Sequence, residues 1–355
     1  MSARFPPDLE ARVDREISAF LAPHRVGFAC GSLASGAGIL IAEALLDQGV
    51  PLRVVLPFDT AEFEQTSVAP AGPGWLDRFR ACLGGAESVV HASDSSFMGD
   101  DELYGYAGRI AMGQALNRAA FLDAPAQQLA VWDRTEGVAL AGTAQDVAAW
   151  KASGHPTHVI ALRPSERPPK ETGPPSATRQ IGAILFTDLS GFSRLRDEQF
   201  PLFVDQVLGP MGAVLDGHGE AVLWRNSWGD AIAAVFSDVT EAAGCALGLH
   251  EALAGIDLES IGLPKDLGLR IGAHAGPVMA MTDPVTHKPT YWGRELTRAA
   301  RIEPRTPEGE VYVTDAFAAL LSLEPVAPFT TEYVGRVTTA KAFETIPMYQ
   351  LRRFL

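Results

Sequence analysis

Hydrophobic and polar positions follow two different patterns along this chain. In the first half, short apolar runs alternate with amphipathic stretches. This predicts strands at VGFAC, LRVVLPF, ESVVHA, QLAVWD and HVIAL, and helices near residues 7–22, 38–48, 74–83, 101–121 and 142–153. Strands that alternate with helices are typical of βαβ units. Residues 1–162 are therefore predicted to form a Rossmannoid α/β domain with a doubly wound parallel sheet.

A proline-rich segment, residues 163–179, interrupts the pattern and is predicted to be an interdomain linker. The order of elements differs after it. The second half predicts a strand QIGAILFTDLS, a helix near 197–215, a hairpin of EAVLWRN and DAIAAVF, a helix near 239–254, a strand LGLRIGAHAG, a proline-rich excursion, a helix RELTRAARI, a strand EVYVT, a further helix and an edge strand IPMYQL. Residues 180–355 are therefore predicted to be an α+β domain with a mixed or antiparallel sheet.

Composition narrows the functional classes. The 355 residues hold 43 acidic and 29 Lys and Arg side chains, a net charge of −14, which argues against a nucleic-acid or anionic-membrane partner. Three widely spaced cysteines, Cys30, Cys82 and Cys245, suit a reducing cytosol. The charged start lacks a signal-peptide pattern, and apolar runs end well short of about 18 residues. We therefore expect a soluble cytoplasmic protein.

Three motifs of the second half carry groups that suit phosphate chemistry. In FTDLSGFS, Asp188 ends a buried strand before a small-residue loop whose amides suit a phosphate group. In WGD, Asp230 lies at the hairpin turn, and two carboxylates on neighbouring strand ends can hold two metal ions. In RELTRAAR, Thr297 and Arg301 are four residues apart, so they share a helical face that can contact a phosphate.

The order FTDLSGFS, NSWGD, LRIGAHAGPV, YWGRELTRAARI and AKAFETIPMYQL resembles class III nucleotidyl cyclase catalytic domains, the adenylate/guanylate cyclase homology domain, over residues 180–351. The resemblance implies a ferredoxin-like α+β fold and conversion of a nucleoside triphosphate to a 3′,5′-cyclic nucleotide and pyrophosphate. It also implies two Mg²⁺ or Mn²⁺ ions per site. The sites would form in a head-to-tail homodimer, with the aspartates from one protomer and the base-recognising and transition-state residues from the other.

The resemblance also implies a role for each matching position. These roles are metal binding by Asp188, Leu189 (through its carbonyl) and Asp230; triphosphate binding by Ser190, Gly191, Phe192, Ser193, Arg270 and Lys341; transition-state stabilisation by Arg301 with Thr297; and base recognition by Asn226 and Thr290.

Some of these positions depart from the family's common residues. Thr297 stands where many members carry Asn, and Asn226 where adenylate cyclases carry Lys and guanylate cyclases Glu. The amide of Asn226 and the hydroxyl of Thr290 can each donate and accept, so the pair can read adenine. No acidic residue is present to accept from guanine, which favours ATP and cyclic AMP. A cyclase for GTP or a pyrimidine triphosphate, and a cyclase-like module without catalysis, remain alternatives.

Three further interpretations concern residues near these motifs. His274, in GAHAG, is interpreted as a hydrogen-bonded strand histidine rather than a metal ligand. Arg294 and Arg298 are interpreted as surface charges. The tryptophans at 224, 228 and 292 are interpreted as packing or interface residues.

The first domain carries a small-residue turn, ACGSLASGAG, between its first strand and first following helix, where such sheets bind nucleotides. The turn lacks both the GxGxxG pattern and the lysine of a phosphate-binding loop. It loosely resembles LOG/DprA-type Rossmannoid domains, mainly over residues 25–60, which implies a nucleotide-like ligand at Gly31, Ser32, Gly36 and Gly38. An interaction scaffold and a hydrolase remain alternatives. The predicted purpose is ligand-dependent regulation of the cyclase dimer.

Overall fold

The computed structural model describes residues 7–99, 101–134, 141–162, 179–342 and 344–354. The chain divides into two compact units, Met1–Ala177 with Ser322–Pro325 and Thr178–Leu321 with Val326–Leu355. The predicted linker at 163–179 lies outside the described residues, except for Arg179, which begins a strand of the second unit. Among the helices of the described residues, none combines the length and the hydropathy that a membrane-spanning segment needs.

In the first unit, strands alternate with helices as the sequence predicts. The strands are β1 (Ala29–Gly31), β2 (Leu52–Leu56), β3 (Ser88–His91), β4 (Gln128–Trp132) and β5 (Thr157–Ala161). The helices are α1 (Pro7–Leu21), α2 (Ala37–Asp47), α3 (Thr60–Phe63), α4 (Pro73–Gly85), α5 (Glu102–Phe121) and α6 (Thr143–Ala152). The pattern of apolar residues does not predict the short helix α3, which continues into a π-helical turn, Glu64–Val68.

Every pair of strands in the described part of the first unit is parallel, which is consistent with the predicted α/β class. The strands form two separate sheets there, in the orders β1-β2-β3 and β4-β5, rather than one continuous sheet. Strand β1 is only three residues long, so it offers few backbone groups for hydrogen bonds that could join the two sheets. The doubly wound Rossmannoid fold therefore stays a prediction.

The core of the first unit forms where α1, α2 and α4 meet strand β2. Strand β2 is almost continuously apolar because both of its faces are covered. The fully buried side chains include Val13, Ile17, Ile39, Leu40, Val54, Leu56, Phe58, Phe63 and Phe79. At the rim of this core, Arg78 of α4 pairs with Glu10 of α1 at 2.6 Å and with Glu43 of α2 at 2.5 Å. One guanidinium thus joins the three helices.

The second unit is built around a larger sheet. Its strands are β6 (Arg179–Ser190), β7 (Val222–Trp228), β8 (Ala231–Phe236), β9 (Gly268–Thr282), β10 (Pro289–Trp292), β11 (Val311–Thr314), β12 (Phe329–Thr338) and β13 (Thr345–Arg353). Its helices are α7 (Phe200–Phe203), α8 (Gly209–Gly217), α9 (Val239–Ala254), α10 (Arg294–Ile302) and α11 (Asp315–Ser322). A π-helical turn, Val204–Leu208, links α7 and α8.

The strand order of this sheet confirms the predicted ferredoxin-like arrangement. The order is β12-β13-β11-β9-β6-β8-β7, and β10 pairs with β9. Within it, β9-β6-β8-β7 is the order of a βαββαβ unit, with antiparallel pairing throughout. Strand β11 pairs parallel to β9, so the whole sheet is mixed. Strand β6 lies in the middle of the strand order, and most of its side chains are buried. Asp188 lies near the last residue of this strand, where the strand leaves the sheet.

Two regions of this sheet differ from the elements predicted from the sequence. The predicted proline-rich excursion is a hairpin: β9 continues to Thr282 and turns back into β10. Pro277 falls between the stretch of β9 that pairs with β11 and the stretch that pairs with β10, so a missing N–H is tolerated there. Strand β12 is additional. Most of its residues are exposed or half-buried, so it lacks an apolar run that would predict it.

Candidate functional site

Two aspartates lie together where strands of the second unit's sheet end. Asp188 is near the end of β6, and Asp230 is in the turn between β7 and β8. The antiparallel pairing of Thr187 with Ile232 brings the end of β6 beside this turn. The N–H of Leu189 donates to the Asp230 carboxylate. The structure thus unites the three residues for which the resemblance implies metal binding.

The carboxylate of Asp230 is in an electrostatically unfavourable place. Burial raises its pKa, and the negative charge of Asp188 raises it further. Backbone N–H donors, including that of Leu189, and the positive charge of Arg270 oppose this increase. The positive charge of Arg270 therefore does not fully offset the negative charges of Asp188 and Asp230.

Arg270 is that cation, and it has two acidic neighbours. It lies opposite Asp188 in the β6–β9 register, and its Nη2 donates to Asp188 Oδ2. Its Nε is 3.0 Å from Glu303 Oε1, close enough for charge attraction although the two atoms are not aligned for a hydrogen bond. Burial raises the pKa of Glu303 to about 7; the charge of Asp188 adds to this and Arg270 opposes it. The sequence does not predict Glu303 as a residue of this site.

The position of Glu303 depends on a glycine of β9. A Cβ at Gly272 would lie 2.5 Å from the Glu303 backbone nitrogen, so the turn Glu303–Arg305 packs directly against the strand. A side chain at position 272 would push the turn, and with it the carboxylate, away from Arg270. The signal for Glu303 in the sequence is therefore indirect: an acidic residue two positions after Arg301, and a glycine in a strand whose neighbours are apolar.

The loop after β6, which the sequence predicts to open a helix, opens a single 3₁₀ turn, Phe192–Arg194, instead. Gly191 has φ +89°, a conformation that favours glycine. The first backbone bond of the turn runs from Arg194 N to Gly191 O at 3.0 Å, so the amides of Gly191, Phe192 and Ser193 precede it. Ser190 Oγ donates to Gly268 O at 3.2 Å.

The phenyl ring of Phe192 connects this loop to the Asp230 turn. It packs on Phe203 at 5.0 Å between ring centroids, and it would be 3.5 Å from a Cβ at Gly229. Phe192 therefore packs between the loop and the aspartate turn, and its ring, rather than only its amide, shapes this part of the site.

Thr297 and Arg301, for which the resemblance implies transition-state stabilisation, lie on helix α10. Lys341, for which it implies triphosphate binding, lies in the turn Ala340–Ala342. Thr297 is exposed and Arg301 half-buried on α10. Lys341 is exposed and has φ +62°, unusual for a residue with a side chain. Asn226 is exposed on β7, and Thr290 is half-buried on β10, which runs close to β7. The two residues for which the resemblance implies base recognition thus lie on strands that run close together.

The interpretation of His274 is confirmed, and that of Arg298 is wrong. His274 is 2% exposed, and its ring nitrogens lie 2.8 Å from Thr314 Oγ1 and 2.9 Å from Glu295 Oε2. Arg298 is largely buried, because its guanidinium binds the carboxylates of Glu295 and Glu344. The hydrophobic pattern of α10 hides this, since Glu295 is a charged residue on the helix's buried face.

The donor set at the edge of β6 fits a divalent cation. Asp188, Asp230 and the Leu189 carbonyl supply hard oxygen ligands, which Mg²⁺ and Mn²⁺ prefer. In the part of the chain that the structure describes, no three His, Cys, Asp or Glu side chains group closely enough to hold a metal by themselves. A site of this kind suits ions that are held by one or two carboxylates and complete their coordination with substrate phosphates.

The small-residue loop of the first unit is folded onto its own chain. Ser35 donates to the Ser67 carbonyl through its Oγ at 2.9 Å and its N–H at 3.4 Å. A Cβ at Gly38 would lie 2.8 Å from Ser32 O, so this glycine is needed for packing within the loop. Gly36 has φ +97° before α2, and Gly31 ends β1. The four predicted ligand residues do lie together, at the carboxyl end of β1.

Comparison with known families identifies the second unit. The model for the adenylate and guanylate cyclase catalytic domain matches residues 176–353, half of the chain. The chain belongs to this family, and its second unit is a nucleotidyl cyclase domain, as the resemblance implies. Comparison with curated proteins gives no match.

Several solved structures are similar to about half of this chain. The adenylyl cyclase CyaB from P. aeruginosa has 18% identity and a TM-score of 0.45, covering 51% of this chain and 99% of that one. The guanylate cyclase domain of RhGC from Catenaria anguillulae, in complex with GTP, has 18% identity and a TM-score of 0.42, covering 50% and 99%. An adenylate cyclase from Trypanosoma brucei in its monomeric state has 20% identity and a TM-score of 0.42, covering 49% and 88%.

Proposed function

We propose that the second unit cyclises a nucleoside triphosphate, with ATP preferred, to a 3′,5′-cyclic nucleotide in a cytoplasmic homodimer. The observation that carries this proposal is the cluster of Asp188, Asp230 and Arg270 beside the Gly191 turn, within a domain of the cyclase family. The cysteines described as free, Cys30, Cys82 and Cys245, support the cytoplasmic location.

In the reaction, the 3′-oxygen attacks the α-phosphorus of the same nucleotide, a new P–O bond forms, and the bond to pyrophosphate breaks. Two Mg²⁺ or Mn²⁺ ions bound by Asp188, Asp230 and the Leu189 carbonyl would lower the pKa of the 3′-hydroxyl and offset charge on the phosphates. Arg301 contacts the equatorial oxygens of the transition state, and Thr297 donates to the ribose or a phosphate. Such a contact is typically worth about 3 kcal/mol, or about a hundredfold in rate.

The triphosphate is held by backbone and cationic groups. The amides of Gly191, Phe192 and Ser193 surround phosphate oxygens, and Ser190 shapes the start of that loop. Arg270 pairs with Asp188 in the free chain; it keeps Glu303 as a second partner, so it can turn toward the triphosphate without becoming an isolated charge. Lys341 binds the triphosphate from the other protomer.

The homodimer is supported by apolar side chains exposed around the site. Trp228, next to the Asp230 turn, is 86% exposed, and Trp292, just before α10, is 53% exposed. Met281 and Val285, in the β9–β10 hairpin, are exposed as well. Burying such side chains against a second copy would remove apolar surface from water and complete each site with residues of the partner.

The preference for ATP rests on the chemistry of the base-reading pair. Asn226 presents an amide and Thr290 a hydroxyl, both of which can donate and accept, so they match the N1 acceptor and amino donor of adenine. Both lie on strands that run close together. Guanine would present an N–H and an amino group without a carboxylate to accept from them.

The first unit is proposed to regulate the cyclase by binding a nucleotide-like ligand. Gly31, Ser32, Gly36 and Gly38 lie at the carboxyl end of a parallel strand, the usual ligand-binding end of such sheets. The internal bond from Ser35 to Ser67 means that a ligand would have to contact the remaining groups of the loop.

Incubating the purified full chain with each of the four nucleoside triphosphates, in Mg²⁺ and in Mn²⁺, tests the proposal. We expect a cyclic product with ATP as the best substrate, and none from the Asp188→Ala variant. A folded dimer that makes no cyclic nucleotide would instead support the alternative that Thr297 and Asn226 suggest, a cyclase-like binding module. Faster turnover of GTP or a pyrimidine triphosphate would overturn only the base assignment.

A further inference from the structure

A chain of buried and half-buried polar and charged groups runs from the sheet through helix α10 to the turn before β13. His274 bridges Thr314 and Glu295, at 2.8 and 2.9 Å. Arg298 Nη1 donates to Glu295 Oε2 at 2.7 Å. The same guanidinium then forks onto Glu344, with Nε to Oε1 at 2.6 Å and Nη2 to Oε2 at 3.1 Å.

The fork between Arg298 and Glu344 is the two-bond contact in this chain of groups. Two parallel charge-assisted hydrogen bonds fix both distance and orientation, which a lysine could not do. The side chains are only 14% and 22% exposed, so solvent screens the pair weakly. Glu295 is fully buried and needs Arg298 to compensate its charge. Removing Arg298 would leave the buried carboxylate of Glu295 without this compensation, whereas removing Glu344 would leave Arg298 paired with Glu295.

Glu344 also closes the loop that carries Lys341. Its carbonyl accepts from Thr339 N at 2.8 Å, and its N–H donates to Thr339 Oγ1 at 3.2 Å. Lys341 lies between these two residues, in the left-handed conformation of its backbone. The loop is therefore short, closed at its base, and attached by Glu344 to α10.

Helix α10 carries the residues of the proposed transition-state site. Arg298 immediately follows Thr297 and precedes Arg301 by less than one turn. The rest of the helix is held by its own apolar contacts, because Ala299 and Ile302 are buried. Loss of the fork would thus loosen the Lys341 loop far more than it would move Arg301.

We propose that Arg298 and Glu344 are positioning residues, which hold the Lys341 loop against α10 so that Lys341 is preset to bind the substrate's triphosphate. This role depends on the proposed cyclase function. Presetting a loop avoids the conformational entropy that substrate binding would otherwise have to overcome, so its main effect falls on KM.

The test compares Glu344→Gln in the full chain with Glu332→Gln as the matched control. Glu332 lies on β12, is mostly exposed, and is 3.8 Å from Arg352. We measure kcat and KM for the preferred triphosphate, and amide hydrogen exchange over residues 339–344 without nucleotide. For Glu344→Gln we expect KM to rise about tenfold, kcat to change less than about threefold, and exchange to accelerate. The control should change none of these quantities.

Arg298→Lys separates the role of the fork from that of charge. It keeps the positive charge near Glu295 but cannot bind both carboxylate oxygens of Glu344. We therefore expect a smaller rise in KM and a smaller acceleration of exchange, again with little change in kcat. It also serves if Glu344→Gln folds poorly. Combining Arg298→Lys with Glu344→Gln should raise KM no further than Glu344→Gln alone, because both changes break one contact.

The other possible results for exchange, KM and turnover each contradict a different part of the proposal. Accelerated exchange with unchanged KM would mean that the fork supports the fold and does not position Lys341. Unchanged exchange would mean that the fork does not hold the loop at all. A wild-type chain without cyclase turnover would refute the proposed function and with it the role in substrate binding, while the exchange data would still decide whether the fork holds the loop.

Discussion

Each unit of this chain has a small-residue loop between a strand and a helical segment, and the two loops differ in their surroundings. The loop before α2 is folded onto the Ser67 carbonyl through Ser35. The loop at Gly191 instead lies beside Asp188 and Asp230, and its amides precede the first bond of the following turn. Small residues alone therefore do not indicate what a loop binds. The carboxylates and the arginine beside the Gly191 loop favour a metal and a phosphate there, and the first loop has no such neighbours among the contacts described for it.

The glycines of the two loops serve different physical needs. Gly38 is required because Ser32 O lies where its Cβ would be, which is a packing requirement. Gly191 is required because of its φ of +89°. Gly38 therefore reports contact with the protein's own backbone, and Gly191 reports a positive φ, which Gly36 of the first loop shares at +97°.

The largest expected effect is on catalysis, from removing the carboxylate beside the second loop. Asp188→Asn keeps the shape of the side chain but loses its charge, so the metal ions of the proposed reaction lose a ligand. We expect cyclic nucleotide production to fall at least about a thousandfold, which corresponds to about 4 kcal/mol. Turnover is measured at saturating triphosphate and Mn²⁺, with circular dichroism as the check on folding.

Asp59→Asn is the matched control in the first unit. Asp59 follows β2 and caps α3 by accepting from Ala61 N at 2.9 Å. Its loss should cost about 1 kcal/mol of stability and leave basal turnover unchanged. Near wild-type activity of Asp188→Asn, or a large loss in Asp59→Asn, would reverse the contrast between the loops.

The next largest effects come from the glycines of the two loops, one on stability and the other on catalysis. Gly38→Ala should destabilise the first unit by about 2 kcal/mol, because the new Cβ meets a backbone oxygen at 2.8 Å. Gly191→Ala should lower kcat/KM at least about tenfold with a smaller effect on stability, because the displaced amides no longer match the phosphate. Urea unfolding and steady-state kinetics measure the two. Equal effects of both variants on kcat/KM would contradict the assignment.

A pH-dependent effect tests the acidic surroundings of the second loop. The pKa of Glu303 is raised to about 7 in the folded chain, from an ordinary value near 4.5. Its contribution to stability is therefore fully present below about pH 4.5 and is lost as the pH rises through 7. Relative to wild type, Glu303→Gln should gain about 1 to 2 kcal/mol of stability between pH 4.5 and pH 8, measured by urea unfolding in EDTA.

Glu332→Gln is again the control, since its side chain is mostly exposed on β12. Its stability should follow the wild-type pH dependence. If Glu303→Gln does the same, the carboxyl of Glu303 is not in the strained environment that Asp188 and burial create.

The smallest effect concerns the bond that folds the first loop onto its chain. Ser35→Ala removes the Oγ hydrogen bond to Ser67 O, which should lower stability by about 1 kcal/mol. Turnover, and its response to added nucleotides, should stay at wild-type values. A changed response would instead mean that Ser35 belongs to a ligand site in the first unit.

The sequence predicts the architecture of the second unit well because several of its signals agree. Apolar runs locate its central strands, and the motifs around Asp188, Asp230 and Arg301 fix the order of elements. The hairpin β9–β10 escapes prediction because Pro277 suggests a break in the strand, and β12 escapes because its residues are exposed. Whether a segment forms a strand depends on the neighbouring strands with which it pairs, and a single sequence does not show those neighbours.

Residues that act through charge in buried places are the ones the sequence does not reveal. Glu295, Arg298 and Glu303 look like surface charges, because nothing local shows which face of α10 is covered. Their roles follow from residues distant in the chain: Glu344, 46 positions after Arg298, and Arg270 on β9. Tertiary contacts of this kind decide burial, and burial decides whether a charge needs a partner.

The exposed indole of Trp228 offers an optical readout of assembly. Because this ring is 86% exposed in the single chain, its fluorescence should be that of a solvated indole, with red-shifted emission. A partner that covers the ring would shift the emission to shorter wavelengths and restrict quenching by iodide. Dilution of the unlabelled protein would then report the association constant directly, and a Trp228→Phe variant would identify the part of the signal that comes from this position.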